Sequence, residues 1–143
     1  MTSSIVAIAD AIVIALNAAT FSQPFTASRE YQPIFELSDL SAVVVSVVPK
    51  SISIDTETRQ QTQRDYDIDL GVQMHTKLNS ENDDLMALSE EIADFFRGNP
   101  VTTPETGITH LVNADIDPIF APSHLTEQHV FTSVIKLTFR ALQ

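Results

Sequence analysis

Between residues 65 and 75 the chain alternates without a break: Tyr66, Ile68, Leu70, Val72 and Met74 fall on one side, and Asp65, Asp67, Asp69, Gly71 and Gln73 on the other. Side chains along a strand point to opposite faces in turn, so this period of two commits the segment to a β-strand with one packed face and one wet face. Residues 129–142 repeat the pattern, placing Phe131, Ser133, Ile135, Leu137, Phe139 and Ala141 inward and Val130, Thr132, Val134, Lys136, Thr138 and Arg140 outward. Strands that are apolar on one side need another layer to cover them.

Two helices supply that cover. Over residues 80–97, Leu85, Leu88, Ile92, Phe95 and Phe96 recur at helical spacing. Asn79 or Ser80 is suited to cap the start, Glu81, Asp83 and Asp84 favour the positive end of the helix dipole, and Gly98 suits the stop. An earlier helix runs from Ser3 or Ser4 to about residue 19, with Ile5, Ile8, Ile12, Ala15, Leu16 and Ala19 as its stripe and Val6, Val13 and Ile14 widening it. Only Asp10 and Asn17 are clearly polar inside it, so it is either a central core helix or one shared with a neighbouring subunit. No Lys or Arg precedes this run and Asp10 interrupts it, which argues against a secretion signal, and it falls short of the ~20 apolar residues of a membrane helix.

The other segments read as a strand at 25–35 with Pro33 near its end, a link at 36–41, and a doubly buried strand at 42–48 ended by Pro49. A further extended stretch follows at 51–58, then a loop at 99–107, a strand at 108–119 and a turn at 121–127. The order is helix, four or five strands, helix, two strands. With 143 residues, no linker and no internal repeat, that order predicts one α+β domain over residues 1–143, a mostly antiparallel β-sheet packed against the two helices.

Thr56, Glu57, Thr58, Arg59, Gln60, Gln61, Thr62, Gln63 and Arg64 include no apolar residue. Nothing in this stretch can enter a core, so it reads as a long polar hairpin tip or an assembly arm.

Catalytic and metal chemistry find no footing. There is no cysteine, hence no thiolate nucleophile and no cysteine-based metal site; the three glycines form no phosphate-binding loop, and His75, His110, His124 and His129 share no metal-ligand spacing. Asp65, Asp67 and Asp69 could in principle bind Ca²⁺ or Mg²⁺, but the glycine and bidentate glutamate of a calcium loop are missing and a strand spreads its carboxylates too widely for one ion. The sequence therefore predicts no catalytic, metal or cofactor site and no cofactor. The row reads as an interface or channel surface whose self-repulsion calls for Lys or Arg on a neighbouring strand or subunit, or for open solvent. Arg59 and Arg64 are the nearest cations in sequence. With 19 Asp and Glu against 8 Lys and Arg, the formal charge of −11 disfavours duplex binding and suits a surface past which DNA slides.

In outline the chain resembles the tail terminators, the tail-completion proteins of long-tailed bacteriophages. The likeness covers residues 31–140. It rests on the strand Arg64-Asp65-Tyr66-Asp67-Ile68-Asp69-Leu70-Gly71-Val72, the helix end Glu91-Ile92-Ala93-Asp94-Phe95-Phe96-Arg97-Gly98, and the closing strand Phe131-Thr132-Ser133-Val134-Ile135-Lys136-Leu137-Thr138-Phe139-Arg140. The resemblance implies a structural virion protein and not an enzyme: a homohexameric ring that caps the tail tube, stops its polymerisation and joins the tail to the head connector. Its implied partners are itself, the tail tube protein and a head-completion or connector protein, with DNA passing unbound and no membrane involved. It would assemble in the host cytoplasm and end in the virion. The alternatives are another ring protein of the phage neck or tail tube, or a monomeric or dimeric protein-binding module.

Overall fold

The computed structural model describes residues 3–30, 43–56, 62–75, 79–117 and 130–142. Their order is α1 (Ser4–Ala18), β1 (Thr26–Arg29), β2 (Val44–Thr56), β3 (Thr62–His75), α2 (Asn79–Gly98), β4 (Val101–Thr103), β5 (Gly107–Ile116) and β6 (Val130–Leu142). The six strands form one sheet in the order β1-β2-β3-β6-β5-β4, antiparallel throughout except where β1 runs parallel to β2. This is the α+β architecture expected from the sequence.

The periodic strands lie at the centre. Tyr66, Ile68, Leu70 and Val72 of β3 and all six inward positions of β6 are buried, and Val45 and Val47 of β2 extend the same face. Helix α1 packs over β1, β2 and β4, and α2 over β5 and β6. Helix α1 buries Ile8, Ala9, Ile12 and Leu16, whereas Ile14 stays 69% exposed. Helix α2 buries Leu85, Leu88, Ile92 and Phe96, and Phe95 only in part. A run of rings stitches the layers together: Phe25 to Phe21 at 5.3 Å between centroids, Phe21 to Phe95 at 5.4 Å, Phe95 to Phe96 at 5.0 Å, and Phe96 to Phe139 at 5.8 Å.

Polar side chains fix the ends. Asn17 accepts a hydrogen bond from the Ala27 N–H at 2.9 Å and donates to the Ala27 carbonyl at 3.1 Å, standing in for a neighbouring strand. Asp10 pairs with Arg29 at 2.7 Å. Glu91 accepts from both the backbone N–H and the hydroxyl of Ser22, tying the α1–β1 link to α2.

Several boundaries depart from the sequence reading. Three described strands separate the helices and three follow α2. Pro49 does not end a strand: the segments at 42–48 and 51–58 join as β2 through a register shift between Pro49 and Ser51 that leaves Lys50 as the extra residue. A bulge can hold a residue with no N–H to donate, and β1 pairs only with Val44 to Val47, so Pro49 has no partner strand on that side among the described residues. The loop at 99–107 contains β4, which turns back onto β5 through Gly107 at φ 71°, where a residue without a Cβ is favoured. Ser3 takes the N-cap position of α1, yet its hydroxyl makes no capping bond. Helix α2 starts at Asn79 itself, so Glu81 alone of the three expected acids lies in its first turn. The strand expected at 25–35 is described as Thr26–Arg29, and the link at 36–41 and the turn at 121–127 fall outside the described residues.

The second face of the sheet is wet over only part of its length. Around Asp65, Asp67 and Asp69 it is accessible, but Ser46, Gly71, Gln73 and Thr132, which adjoin one another in register, are buried. Alternation assigns a residue to a face without saying how far that face is covered.

Candidate functional site

The accessible half of the second face carries three cross-strand rungs. Reading β2, β3, β6 and β5 in turn, they are Ser53–Asp65–Arg140–His110, Ser51–Asp67–Thr138–Asn113 and Val48–Asp69–Lys136–Asp115. The pleat puts these side chains on one side because they alternate along β3 and β6 and the register slips in β2 and β5 keep their partners in phase, and register sets a cation or hydroxyl beside each aspartate.

The contacts follow that placement. Arg140 grips Asp65 through two parallel bonds, Nε to Oδ1 at 2.9 Å and Nη2 to Oδ2 at 3.1 Å. Asp67 accepts from the Thr138 hydroxyl at 2.7 Å and from the Ser51 hydroxyl at 2.9 Å. Lys50, lifted out at the bulge, reaches Asp69 at 3.4 Å. Lys136 stands in register between Asp69 and Asp115 and makes no ion pair among the described residues. Lys50, Ser51, Asp67, Asp69, Asp115 and Lys136 border an open depression of about 340 Å³.

The row thus meets its cations on neighbouring strands of the same chain. Carboxylates two apart on a strand are spaced by ~6.8 Å, too far for a shared ion, and each accepts from a different donor. No group of three metal-ligating side chains occurs among the described residues. Arg64 pairs in register with Ile54 and Ala141 on the face opposite the row, with its Nε buried and unbonded among the described residues. Of the polar arm, Thr56 closes β2 and Thr62, Gln63 and Arg64 open β3, while Glu57, Thr58, Arg59, Gln60 and Gln61 lie outside the described residues.

Sequence reasoning found the aspartates and placed Lys136, Thr138 and Arg140 on the outward side of their strand. It missed Lys50, Ser51 and Asp115 as their neighbours, because strand order and register are not written in any single segment. The unbalanced negative charge lies elsewhere: Glu81, Asp83, Asp84, Glu90, Glu91 and Asp94 line α2 against Arg97 alone, which pairs with Asp94 at 3.0 Å.

Replacing Asp65, Asp67 and Asp69 together with asparagine is expected to leave the subunit folded and to cost about 1–3 kcal/mol, since the carboxylates are only part-buried and asparagine keeps some of their hydrogen bonds. Neither wild type nor variant should gain melting temperature from Ca²⁺ or Mg²⁺. A metal-dependent rise in the wild type that the triple change abolishes would restore the metal reading.

No family model and no curated protein matches the chain. One solved structure, whose name states no function, is 15% identical over 99% of this chain and 96% of its own, with a TM-score of 0.58, and shares the fold. Another, from the virion of a native gene transfer agent particle, is 12% identical over 98% of this chain and 93% of its own, with a TM-score of 0.48. Among the described residues no helix is long and apolar enough to cross a membrane.

Proposed function

We propose that this chain is a structural ring subunit of a long-tailed phage: a tail terminator that caps the tail tube, halts its growth and receives the head connector. The observation that carries the reading is the β2–β3 hairpin. Its strands stay paired out to Thr56 and Thr62, while Ile52 and Ile54 stand exposed at 39% and 56%. Apolar side chains exposed on a strand that is paired along its other side suit a surface completed by assembly. The resemblance in strand and helix motifs supports the same reading.

The charge distribution refines it. Because Lys50, Lys136 and Arg140 offset the aspartate row, a wall that keeps DNA from sticking would be furnished by α2, with its six carboxylates per copy.

Light scattering on the purified protein tests the reading. The expected result is association that rises with concentration toward a closed ring of 15.8 kDa subunits. When the ring is added to polymerising tail tube protein, it should shorten the tubes and sit at one end. A monomer at every concentration, together with tubes of unchanged length, would overturn the proposal.

A further inference from the structure

The sheet has two unpaired edges among the described residues. On one side β1 covers β2 only as far as Val47, leaving residues 50–56 open; on the other, β4 covers β5 only at Gly107 to Thr109, leaving residues 111–116 open. An uncovered strand edge is a row of backbone donors and acceptors ready to pair. These two stretches, with their flanks, also hold four of the five large aliphatic side chains exposed among the described residues: Ile52 and Ile54 on β2, Ile108 and Val112 on β5.

The edges differ in shape. Beside β5 runs a groove of about 380 Å³ between the strand and α2, lined by the apolar Ala93, Leu111, Ala114 and Ile116 and bordered by Asp94 and Arg97. It opens on the side of the sheet that carries the helices. Ile52 and Ile54 project to that same side, since Ile52 is in register with Tyr66 and Ile54 with Arg64. One edge therefore offers two side chains and the other a place for them.

We propose that the open edge of β2 in one copy of this chain adds antiparallel to the open edge of β5 in the next, with Ile52 and Ile54 entering the groove. The strand directions permit it: β2, β3, β6 and β5 are successively antiparallel, so β2 and β5 run oppositely. A register that sets Ile52 against Ala114 places both on the helix side and brings Ile54 against Val112, beside Leu111. It sets Ser51 and Ser53 opposite Asp115 and Asn113. Lys50, with 62% of its side chain exposed, then lies opposite Ile116 and between Asp115 and Asp117 of the next copy, so the charges match as well. Each copy keeps one edge of each kind free, and head-to-tail pairing of this type propagates until a ring closes. The inference rests on the ring reading above and names the surface by which the ring is built.

The chain has no cysteine, which makes the test direct. Ser53 and Asn113 are exposed, so Ser53→Cys with Asn113→Cys leaves the subunit intact and brings the two sulfurs together only across the proposed contact. On oxidation the double variant should give a ladder of covalent multimers ending at the ring's copy number, and each single variant should give none. Ile52→Asp with Ile54→Asp should weaken association at least tenfold without lowering the melting temperature of the subunit. Rings that form without intermolecular disulfides and withstand the two aspartates would overturn the edge pairing while leaving the ring reading in place. A wild-type chain that never associates would overturn both. A drop in the melting temperature of the double-aspartate subunit would show that the chain's own residues cover these isoleucines, and would equally overturn the pairing.

Discussion

Phe96→Ala will cost the subunit about 3–5 kcal/mol in urea unfolding, the largest loss we expect from any single truncation of α2. Phe96 is 1% exposed and its ring meets Phe139 edge-on at an interplanar angle of 90° and Phe95 at 81°. Truncation removes the buried ring and also the contact between α2 and β6, leaving a void that a sheet strand and a helix cannot both move to fill. The adjacent Phe95 is the internal control. It is only partly buried and faces Phe21, so Phe95→Ala should lose clearly less. Equal losses at the two sites would mean that α2 is rotated about its axis from the placement described.

Tyr66→Phe should do the reverse and stabilise the subunit by about 1–3 kcal/mol. Tyr66 is fully buried, is in register with Phe139 at the centre of the sheet, and its hydroxyl has no hydrogen-bond partner among the described residues. A buried hydroxyl without a partner gives up its bonds to water and regains nothing on folding, whereas phenylalanine keeps the packing and removes the desolvation cost. The expected signature is a higher urea midpoint with an unchanged slope. A lower midpoint would show that the hydroxyl is bonded in the folded protein.

What could be read from the sequence, and what could not, follows from the range of the forces involved. The inward sets of β3 and β6 were legible because alternation is a local property, and every inward residue named for β6 is buried. The helix face of α2 was legible for the same reason, except that periodicity could not choose between Phe95 and Phe96, which sit about 100° apart at the two margins of the apolar stripe. Pro49 misled because proline breaks a strand only where its missing N–H would have been used, and that depends on whether another strand lies alongside. Strand β4 was hidden because three residues carry too little pattern to stand out from a Pro/Thr loop. In the polar face, the aspartates announced themselves while their partners did not. Asp65 meets Arg140 across a sequence separation of 75 residues, a pairing set by the order of strands and by no motif.

The bulge at Lys50 has a consequence for how β2 is written. Upstream of it the odd-numbered Val45 and Val47 face the helices; downstream the even-numbered Ile52 and Ile54 do. The extra residue acts as a half-period phase shift, letting one continuous strand carry two messages in opposite parity, the first addressed to its own core and the second to whatever lies beyond it. A second slip, at Val112 between Leu111 and Asn113 on β5, lies across the Asp67–Thr138 rung from the first, so that β2 and β5 change phase about one rung apart. On β2 the slip separates a stretch whose inward side chains, Val45 and Val47, are closed within the subunit from one whose side chains, Ile52 and Ile54, stand exposed. Along β2, the boundary between what the chain needs in order to fold and what it holds outward can therefore be located to a single residue, Lys50.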